Sequence, residues 1–307
     1  MDINSSEMNI KKLTTFILWA FLPMIGIGVA MNFFPVPATD LNAEGGADSV
    51  TVNTLIRAAL SSAAMLLPLL AVVMTQLMFR EPIFRGIGIS FKVNRWWLIG
   101  WILMPLVSLA TVGMTLLMPG AEWNTDTPIM QATLQSMPEG MGVWGMIAIT
   151  LVSGLFAGAT INCVLAFGEE IGWRGYLLEV FKGKKFMTAA LWTGIIWGIW
   201  HAPIILNGHN YPQHPVAGAF MMVIFCTLMT PMMMYFRKKS GSVIVPAIMH
   251  GTFNAVAGIN MLVIPQQNDL LYGCAGAAGM MVLLLTDVCL YVYDRYISKE
   301  NVFGSSL

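Results

Sequence analysis

Charged side chains are scarce in this sequence. Of its 307 residues only 10% are charged, whereas 57% are apolar, and the mean hydropathy is +0.70. In soluble globular proteins about a quarter of the residues are charged. The scarcity of charge therefore excludes an ordinary soluble domain and predicts an integral membrane protein whose surroundings are the lipid bilayer.

A net charge is also lacking. The 16 Lys and Arg residues balance the 16 Asp and Glu residues, which gives a formal net charge of +0. A neutral protein has no overall field that would attract a polyanion, so we expect no nucleic-acid partner. The sequence has no internal repeat, no soluble domain, and no N-terminal Met-Gly or C-terminal CaaX motif for a lipid anchor.

Cysteine is rare as well, with four residues that all lie in apolar runs and form no CxxC pair: Cys163, Cys226, Cys274 and Cys289. This spacing argues against disulfides and against a thiolate zinc site. We expect these cysteines to pack between helices.

Long apolar runs dominate the chain instead. A helix needs about 20 mainly apolar residues to cross the hydrocarbon of a bilayer. The sequence predicts an all-α, polytopic membrane bundle of about eight such helices. The predicted spans are 13–34, 53–79, 95–118, 144–168 or beyond, 186–206, 216–236, 243–264 and 271–293.

Basic residues indicate the orientation. The predicted outer loops 35–52, 119–143, 207–215 and 265–270 contain no Lys or Arg. Because short cytoplasmic loops are enriched in Lys and Arg, both termini are predicted to be cytoplasmic in a multi-pass protein of a cell membrane. Fourteen basic residues lie in the terminal segments and the other loops: Lys11, Lys12, Arg80, Arg85, Lys92, Arg95, Lys182, Lys184, Lys185, Arg237, Lys238, Lys239, Arg295 and Lys299.

We interpret residues 1–307 as a single membrane domain. Residues 1–143 would supply the first three helices and an outer loop. Residues 144–265 would form the core that contains the functional motifs, and residues 266–307 the last helix and a cytoplasmic tail.

Polar side chains within the spans are candidates for function, because each costs roughly 2.5 kcal/mol or more to insert into hydrocarbon. His209 and His214 fall in a loop and are interpreted as ordinary loop residues. The candidates within or beside spans are Arg57, Glu169, Glu170, Arg174, His201, His250 and Asp287.

Depth predicts that several candidates meet. At about 1.5 Å per residue, His201 lies about 24 Å beyond Lys185, and Asn254 about 22 Å beyond Lys239. If the fourth helix continues past Phe167 to the basic patch at 182–185, Glu169 lies at a similar depth, about 20 Å inside. Segment 144–182 is too long for one straight span, so we expect it to lie partly along the interface or to break near Gly154 or Gly158.

Helical spacing assigns faces to the two carboxylates. Glu170 and Arg174 are four residues apart and can pair, an arrangement that we interpret as mainly architectural. Glu169 is turned away by about 100° and can face another helix.

The same spacing groups the residues of two other helices. Trp197 shares a face with His201, and His250 shares one with Asn254. Three helices could thus present a carboxylate, two histidines and an amide to one another. We expect them to meet in one cavity that opens to the cytoplasmic side, because water and a peptide have to reach the site through space lined by protein. Arg57 and Asp287 are expected to make helix contacts or to line a water-filled crevice.

Two chemistries fit these groups. In one, Glu169 and His201 activate a water molecule while His250 and Asn254 stabilise the oxyanion of an attacked carbonyl, without a bound cofactor. In the other, Glu169, His201 and His250 bind a catalytic zinc ion; the absence of an HExxH motif does not exclude this, because ligands can come from separate helices.

Three motifs carry a resemblance to a known family. GEEIGWR, WGIWH and HGTFN, in this order, resemble the signatures of the CPBP family (CaaX protease and bacteriocin-processing), which includes type II CaaX-processing endopeptidases and bacterial Abi-type membrane proteases. The resemblance covers roughly residues 144–265. The second signature usually begins with Phe, where this chain has Trp197, and this difference bears on the shape of the pocket.

The resemblance implies an intramembrane peptidase that acts on a membrane-associated peptide or protein. It implies that Glu169 and His201 activate water, that His250 and Asn254 hold the oxyanion, and that Glu170 and Arg174 support the motif. It favours a metal-independent glutamate mechanism over a metallopeptidase.

Trp197, at the start of the second signature, is assigned a supporting role as well. With its short loops the chain looks more like the bacterial branch of the family, which implies a bacterial plasma membrane.

Two hypotheses from other functional classes predict different sequence features. A proton-coupled transporter would also place Glu and His in the membrane, but it predicts internal repeats and paired broken helices, which the sequence does not show. A non-catalytic immunity protein of the same fold is expected to have lost one of the three motifs, and all three are present.

Overall fold

The computed structural model describes residues 3–35, 52–135, 137, 140–264 and 268–307, and within these ranges the regular elements are helices. Two of them are π-helical turns, Ile171–Tyr176 and Tyr293–Ile297. The α-helices are α1 (Ile3–Met31), α2 (Val52–Ala64), α3 (Leu67–Met78), α4 (Arg95–Thr115), α5 (Pro128–Gln135), α6 (Val143–Ala159), α7 (Ile161–Glu170), α8 (Leu177–Val180), α9 (Phe186–Trp200), α10 (Ala202–Ile205), α11 (Pro215–Ser240), α12 (Ile244–Val256), α13 (Ile259–Val263) and α14 (Ala277–Val292). The all-α class is confirmed.

The number of long membrane-spanning helices is lower than predicted. Among the described residues, six helices are long and apolar enough to cross a membrane, and a bent pair brings the number to seven. The six are Asn9–Met31, Val52–Met78, Arg95–Thr115, Phe186–Ile205, Pro215–Ser240 and Ala277–Ile297.

The bent pair is the long segment that contains the GEEIGWR motif. It consists of Val143–Ala159 and Ile161–Val180, which meet at an angle of 51°. The helix does continue past Phe167, and it bends at Thr160, two residues after the predicted Gly158. The bend fits a segment longer than the hydrocarbon thickness into the bundle.

The predicted span 243–264 is not one helix. It is divided between α12 and α13, with a break at Ala257 and Gly258. At one end Val243 N donates to Gly88 O at 3.0 Å, and at the other Asn124 N donates to Val263 O at 2.9 Å. The segment therefore passes between the two faces of the bundle as two short helices. Hydropathy measures apolar content over a window, and it does not register such a break.

Residues near both ends of the chain lie on the face formed by the basic loops. Lys12 pairs with Glu81 at 2.6 Å, and Lys238 donates to Ser305 at 3.2 Å. This agrees with an even number of crossings. Which side of the membrane this face occupies remains a prediction from the charges.

Close packing of α9 against α11 depends on glycine. A Cβ atom added to Gly194 would lie 2.5 Å from Thr227 Cα and 3.0 Å from Cys226 O. Small residues let membrane helices approach this closely, and dispersion contacts then hold them together. The approach fixes the position of His201, which follows α9 directly.

Helix α12 is central in the bundle, and helix α2 is peripheral. α12 lies among α4, α6 and α7, whereas α2 packs mainly against α1. An apolar cluster that extends from Phe16 to Phe303 holds the bundle together.

Candidate active site

A cavity of about 1060 Å³ enters the bundle between α2, α9 and α12. Its lining includes the four residues proposed from the sequence as catalytic: Glu169, His201, His250 and Asn254. The structure thus brings together three separate helical segments at one point, as the depths along the helices predict.

Glu169 is buried at the end of α7, with 2% of its surface exposed. Its Oε2 accepts two hydrogen bonds, from Trp197 Nε1 at 2.8 Å and from Trp173 Nε1 at 3.2 Å. Its Oε1 accepts no hydrogen bond from the described residues. Two indole N–H groups therefore fix the carboxylate through one oxygen, and the residue lines the cavity.

Glu170 has a different set of partners. Its Oε1 accepts from Arg174 Nη1 at 3.0 Å and from His250 Nδ1 at 2.9 Å. Arg174 is fully buried and also donates from Nη2 to Thr230 Oγ1 at 3.0 Å. The predicted pair of Glu170 and Arg174 exists, and it extends to the imidazole of His250, which the sequence did not indicate.

Hydrogen bonds at Nδ1 orient both histidines. His201 Nδ1 lies 2.9 Å from Trp197 O, and because a carbonyl can only accept, this nitrogen donates. In the neutral ring, Nε2 of His201 is then an acceptor. His250 donates its Nδ1–H to the carboxylate of Glu170, so that its Nε2 lies on the opposite side of the ring.

Trp197 lies next to Glu169, both histidines and Arg174. Besides its bond to Glu169, its ring centroid lies 5.7 Å from that of His201 and 5.5 Å from that of His250. The guanidinium carbon of Arg174 lies 4.1 Å from the centroid of the Trp197 ring, a cation–π distance. The side chain predicted as supporting is therefore central to the site.

Asn254 lies one helical turn beyond His250 on α12 and is exposed to the cavity. A side chain in this position can change partner without a loss of packing. It is available for a ligand.

A π-helical turn, Ile171–Tyr176, directly follows the two glutamates. Such turns place an extra residue in the helix and are frequent at functional sites. Here the turn contains Trp173 and Arg174, each of which bonds to the glutamate four residues before it.

Two of the contributing residues were missed from the sequence. Trp173 could have been found by its position four residues after Glu169, since a buried indole N–H needs an acceptor. Thr230 had no such signal, because threonine is common in apolar helices and its relation to Arg174 depends on how α11 packs.

Other polar residues were assigned less specifically. Arg57 lines the cavity, whereas Asp287 on α14 does not. Of the two loop histidines, His209 lines the cavity, and His214 pairs with Asp269 at 2.6 Å.

The cavity opens on a face that differs from the prediction. We expected the site to open toward the cytoplasm, which the basic residues assign to the face of loops such as 182–185. The cavity instead reaches segments 207–213 and 268–275, on the opposite face. Toward the basic face the site is closed by fully buried Trp173 and Arg174.

Glu169, His201 and His250 were considered as zinc ligands, and in the described part of the chain they are not grouped around one point as a ligand set. Within the described ranges, no group of three His, Cys, Asp or Glu side chains is arranged to hold an ion. We therefore derive no chemical step that uses a metal at this site.

Comparison with known proteins adds an independent observation on this part of the chain. Residues 144–256 match the family described as type II CAAX prenyl endopeptidase Rce1-like. The chain is also similar to CAAX prenyl protease 2 of Methanococcus maripaludis, with 30% identity over 117 residues. This match covers 35% of the chain and 39% of that relative, so the chain spans about two fifths of the relative's length. Residues 144–256, which contain all three motifs, are thus similar to the CaaX-type proteases of the CPBP family.

Proposed function

We propose that this chain is an intramembrane endopeptidase that hydrolyses a peptide bond of a membrane-associated peptide or protein. The observation that carries the proposal is the buried Glu169 carboxylate, which is fixed through Oε2 by two indole N–H groups and lines a large cavity. A desolvated, oriented carboxylate is suited to accept a proton from water.

In the proposed reaction, water binds between Glu169 Oε1 and the carbonyl carbon of the substrate. Glu169 takes one proton from this water while the water oxygen attacks the carbonyl carbon. His201 orients the water, because the bond of its Nδ1–H to Trp197 O leaves Nε2 as an acceptor. The proton on Glu169 then passes to the leaving nitrogen as the C–N bond breaks, so that a carboxylic acid and an amine result.

The negative charge that develops on the carbonyl oxygen needs donors. Asn254 can donate from its amide, and His250 can donate from Nε2 when that nitrogen is protonated. Glu170 supports this role, because its carboxylate accepts the Nδ1–H of His250 and fixes the orientation of the ring. The scheme uses protein groups and water only.

Arg174 has a supporting role in this proposal. It pairs with Glu170, donates to Thr230 and lies over the ring of Trp197, all within the buried interior. It thereby connects the helix of the glutamates to α11 and α9. It touches no substrate.

The substrate class follows from the position of the site. A cavity within a membrane bundle favours a peptide that is already held at the bilayer, by a lipid anchor or by a span of its own. The relative's name refers to prenylated CaaX proteins, and a lipid-anchored peptide is accordingly the first substrate to test.

The direct test is cleavage of a fluorogenic peptide, in a farnesylated and an unmodified version, by purified protein in detergent. Glu169→Gln keeps the shape of the side chain and removes the base, and it should abolish cleavage. Glu179→Gln is the matched control, because Glu179 forms an exposed pair with Lys182, and it should cleave as the wild type does.

A strong chelator, added in a parallel reaction, should leave the rate unchanged. Full activity of Glu169→Gln would contradict the proposed role of Glu169. Loss of wild-type activity with the chelator, and recovery with zinc, would favour the metallopeptidase mechanism.

A further inference from the structure

Arg57 lies on α2 in the wall of the cavity, and the proposed reaction does not use it. Its guanidinium donates through Nη1 to Met31 O at 3.4 Å and through Nη2 to Asn207 O. Both acceptors are neutral backbone carbonyls. Within the described part of the chain, Arg57 forms no ion pair.

Among the described residues, the carboxylate that shares the cavity wall with Arg57 is bonded to other groups. Asp269 lines the same part of the cavity, but it accepts from His214 Nδ1 at 2.6 Å and from Gln213 N at 2.7 Å. Burial, and secondarily the charge of Arg57, lowers the pKa of His209, so that near neutral pH this residue is an uncharged donor. The mouth of the cavity thus combines a cation with polar donors.

A guanidinium is the side chain best matched to a planar carboxylate, since its N–H groups form a fixed fork that can bind both oxygens. It remains charged at every relevant pH. A peptide whose bond is placed at Glu169 has to extend through the mouth, where it passes Arg57.

We propose that Arg57 binds a carboxylate of the peptide substrate at the mouth of the cavity, and that it thereby selects which peptides reach Glu169. The inference rests on the proposed function, because it takes the occupant of the cavity to be a peptide. The carboxylate can be the C-terminus of the chain or an Asp or Glu side chain, and both present the same two oxygens.

Binding can be measured separately from cleavage in a protein that carries Glu169→Gln. The probes are dye-labelled, lipid-anchored peptides that otherwise share one sequence. Each ends in either a free carboxylate or a carboxamide, and each contains either Asp or Asn at one internal position. Fluorescence anisotropy gives the affinity of each peptide. Within one variant, the ratio of the affinities for the acid and the amide peptide does not depend on the yield of folded protein.

We expect the protein with Arg57 to prefer one type of carboxylate about tenfold or more, which is the usual effect of a hydrogen bond to a charged group. Arg57→Gln should abolish the preference, and Arg57→Lys should keep part of it, since lysine retains the charge without the fork. Arg85→Gln, on the exposed loop of the basic face, is the matched control and should keep the full preference.

In protein with Glu169 intact, Arg57→Gln should raise KM for the acidic peptide several-fold and change kcat little. An unchanged preference in Arg57→Gln, or no preference with Arg57 present, would overturn the inference even if cleavage is observed. A clear preference in a protein that cleaves nothing would overturn the proposed function alone. Stabilisation of the Arg57 protein but not of Arg57→Gln by phosphatidylglycerol, without any peptide preference, would assign the site to lipid phosphate instead.

Discussion

The indole N–H of Trp197 donates to Glu169 Oε2 across 2.8 Å and joins α9 to α7 at the centre of the site. A phenylalanine at this position could not donate, so the effect of the bond can be measured by substitution.

Replacing Trp197 with Phe keeps the aromatic ring and removes the donor. We expect the cleavage rate to fall about fivefold to tenfold, because a hydrogen bond to a charged group is lost while Trp173 still donates to the same oxygen. The assay is kcat/KM for the fluorogenic peptide. Trp192→Phe, an exposed position on the same helix, is the control and should have no effect. Equal rates for all three proteins would show that the bond has no role in positioning.

Arg174→Ala should reduce the amount of folded protein. Removing one partner of a buried ion pair leaves the other charge uncompensated and typically costs about 3–5 kcal/mol. Thermal unfolding in detergent measures the loss. Lys182→Ala is the control, since it breaks an exposed pair of the kind that contributes only about 0–1 kcal/mol.

The same measurement separates the two glutamates. Glu169→Ala should unfold at nearly the wild-type temperature, although it should cleave nothing. If Arg174→Ala and Glu169→Ala lose folded protein equally, the division between a supporting and a reacting residue is wrong.

Asn254→Ala should lower kcat about a hundredfold, the usual effect of removing an oxyanion donor. Its stability should not change, because the side chain is exposed to the cavity. Ser61→Ala is the control, because it changes a side chain in the wall of the same cavity without removing a proposed oxyanion donor. A rise in KM with kcat unchanged would instead indicate that Asn254 binds the ground state of the substrate.

Gly194→Ala should destabilise the bundle, because its Cβ would meet the backbone of α11 and force α9 away from it. Overpacking of this kind costs about 1–3 kcal/mol. Gly113→Ala on α4, where nothing lies within 4 Å of the added atom, should be neutral or slightly stabilising. Melting temperatures in detergent give both values, and an unaffected Gly194→Ala would show that the two helices can separate freely.

The sequence could predict the meeting of Glu169, His201, His250 and Asn254, because the membrane imposes a common depth scale on every helix. Helical rise then converts residue number into position. The pairing of neighbouring charges on one helix was predictable for a similar reason, since it depends on local spacing alone.

Contacts between helices were harder to predict from the sequence. That His250 bonds to Glu170, and Trp197 to Glu169, depends on the rotation of three helices about their axes. Hydropathy does not report this rotation. The break at Ala257 and the side on which the cavity opens are likewise determined by packing.

The position of α2 allows substrate entry and bond cleavage to depend on different helices. α12, which presents His250 and Asn254, is enclosed by other helices, whereas α2 packs mainly against α1 and forms the opposite wall of the cavity. A sideways shift of α2 would widen the entrance and leave the reacting groups in register. The turnover of a bulky, lipid-bound peptide would then be limited by how often α2 moves. Substitutions on α2 would change the rate of substrate entry rather than the rate of bond cleavage.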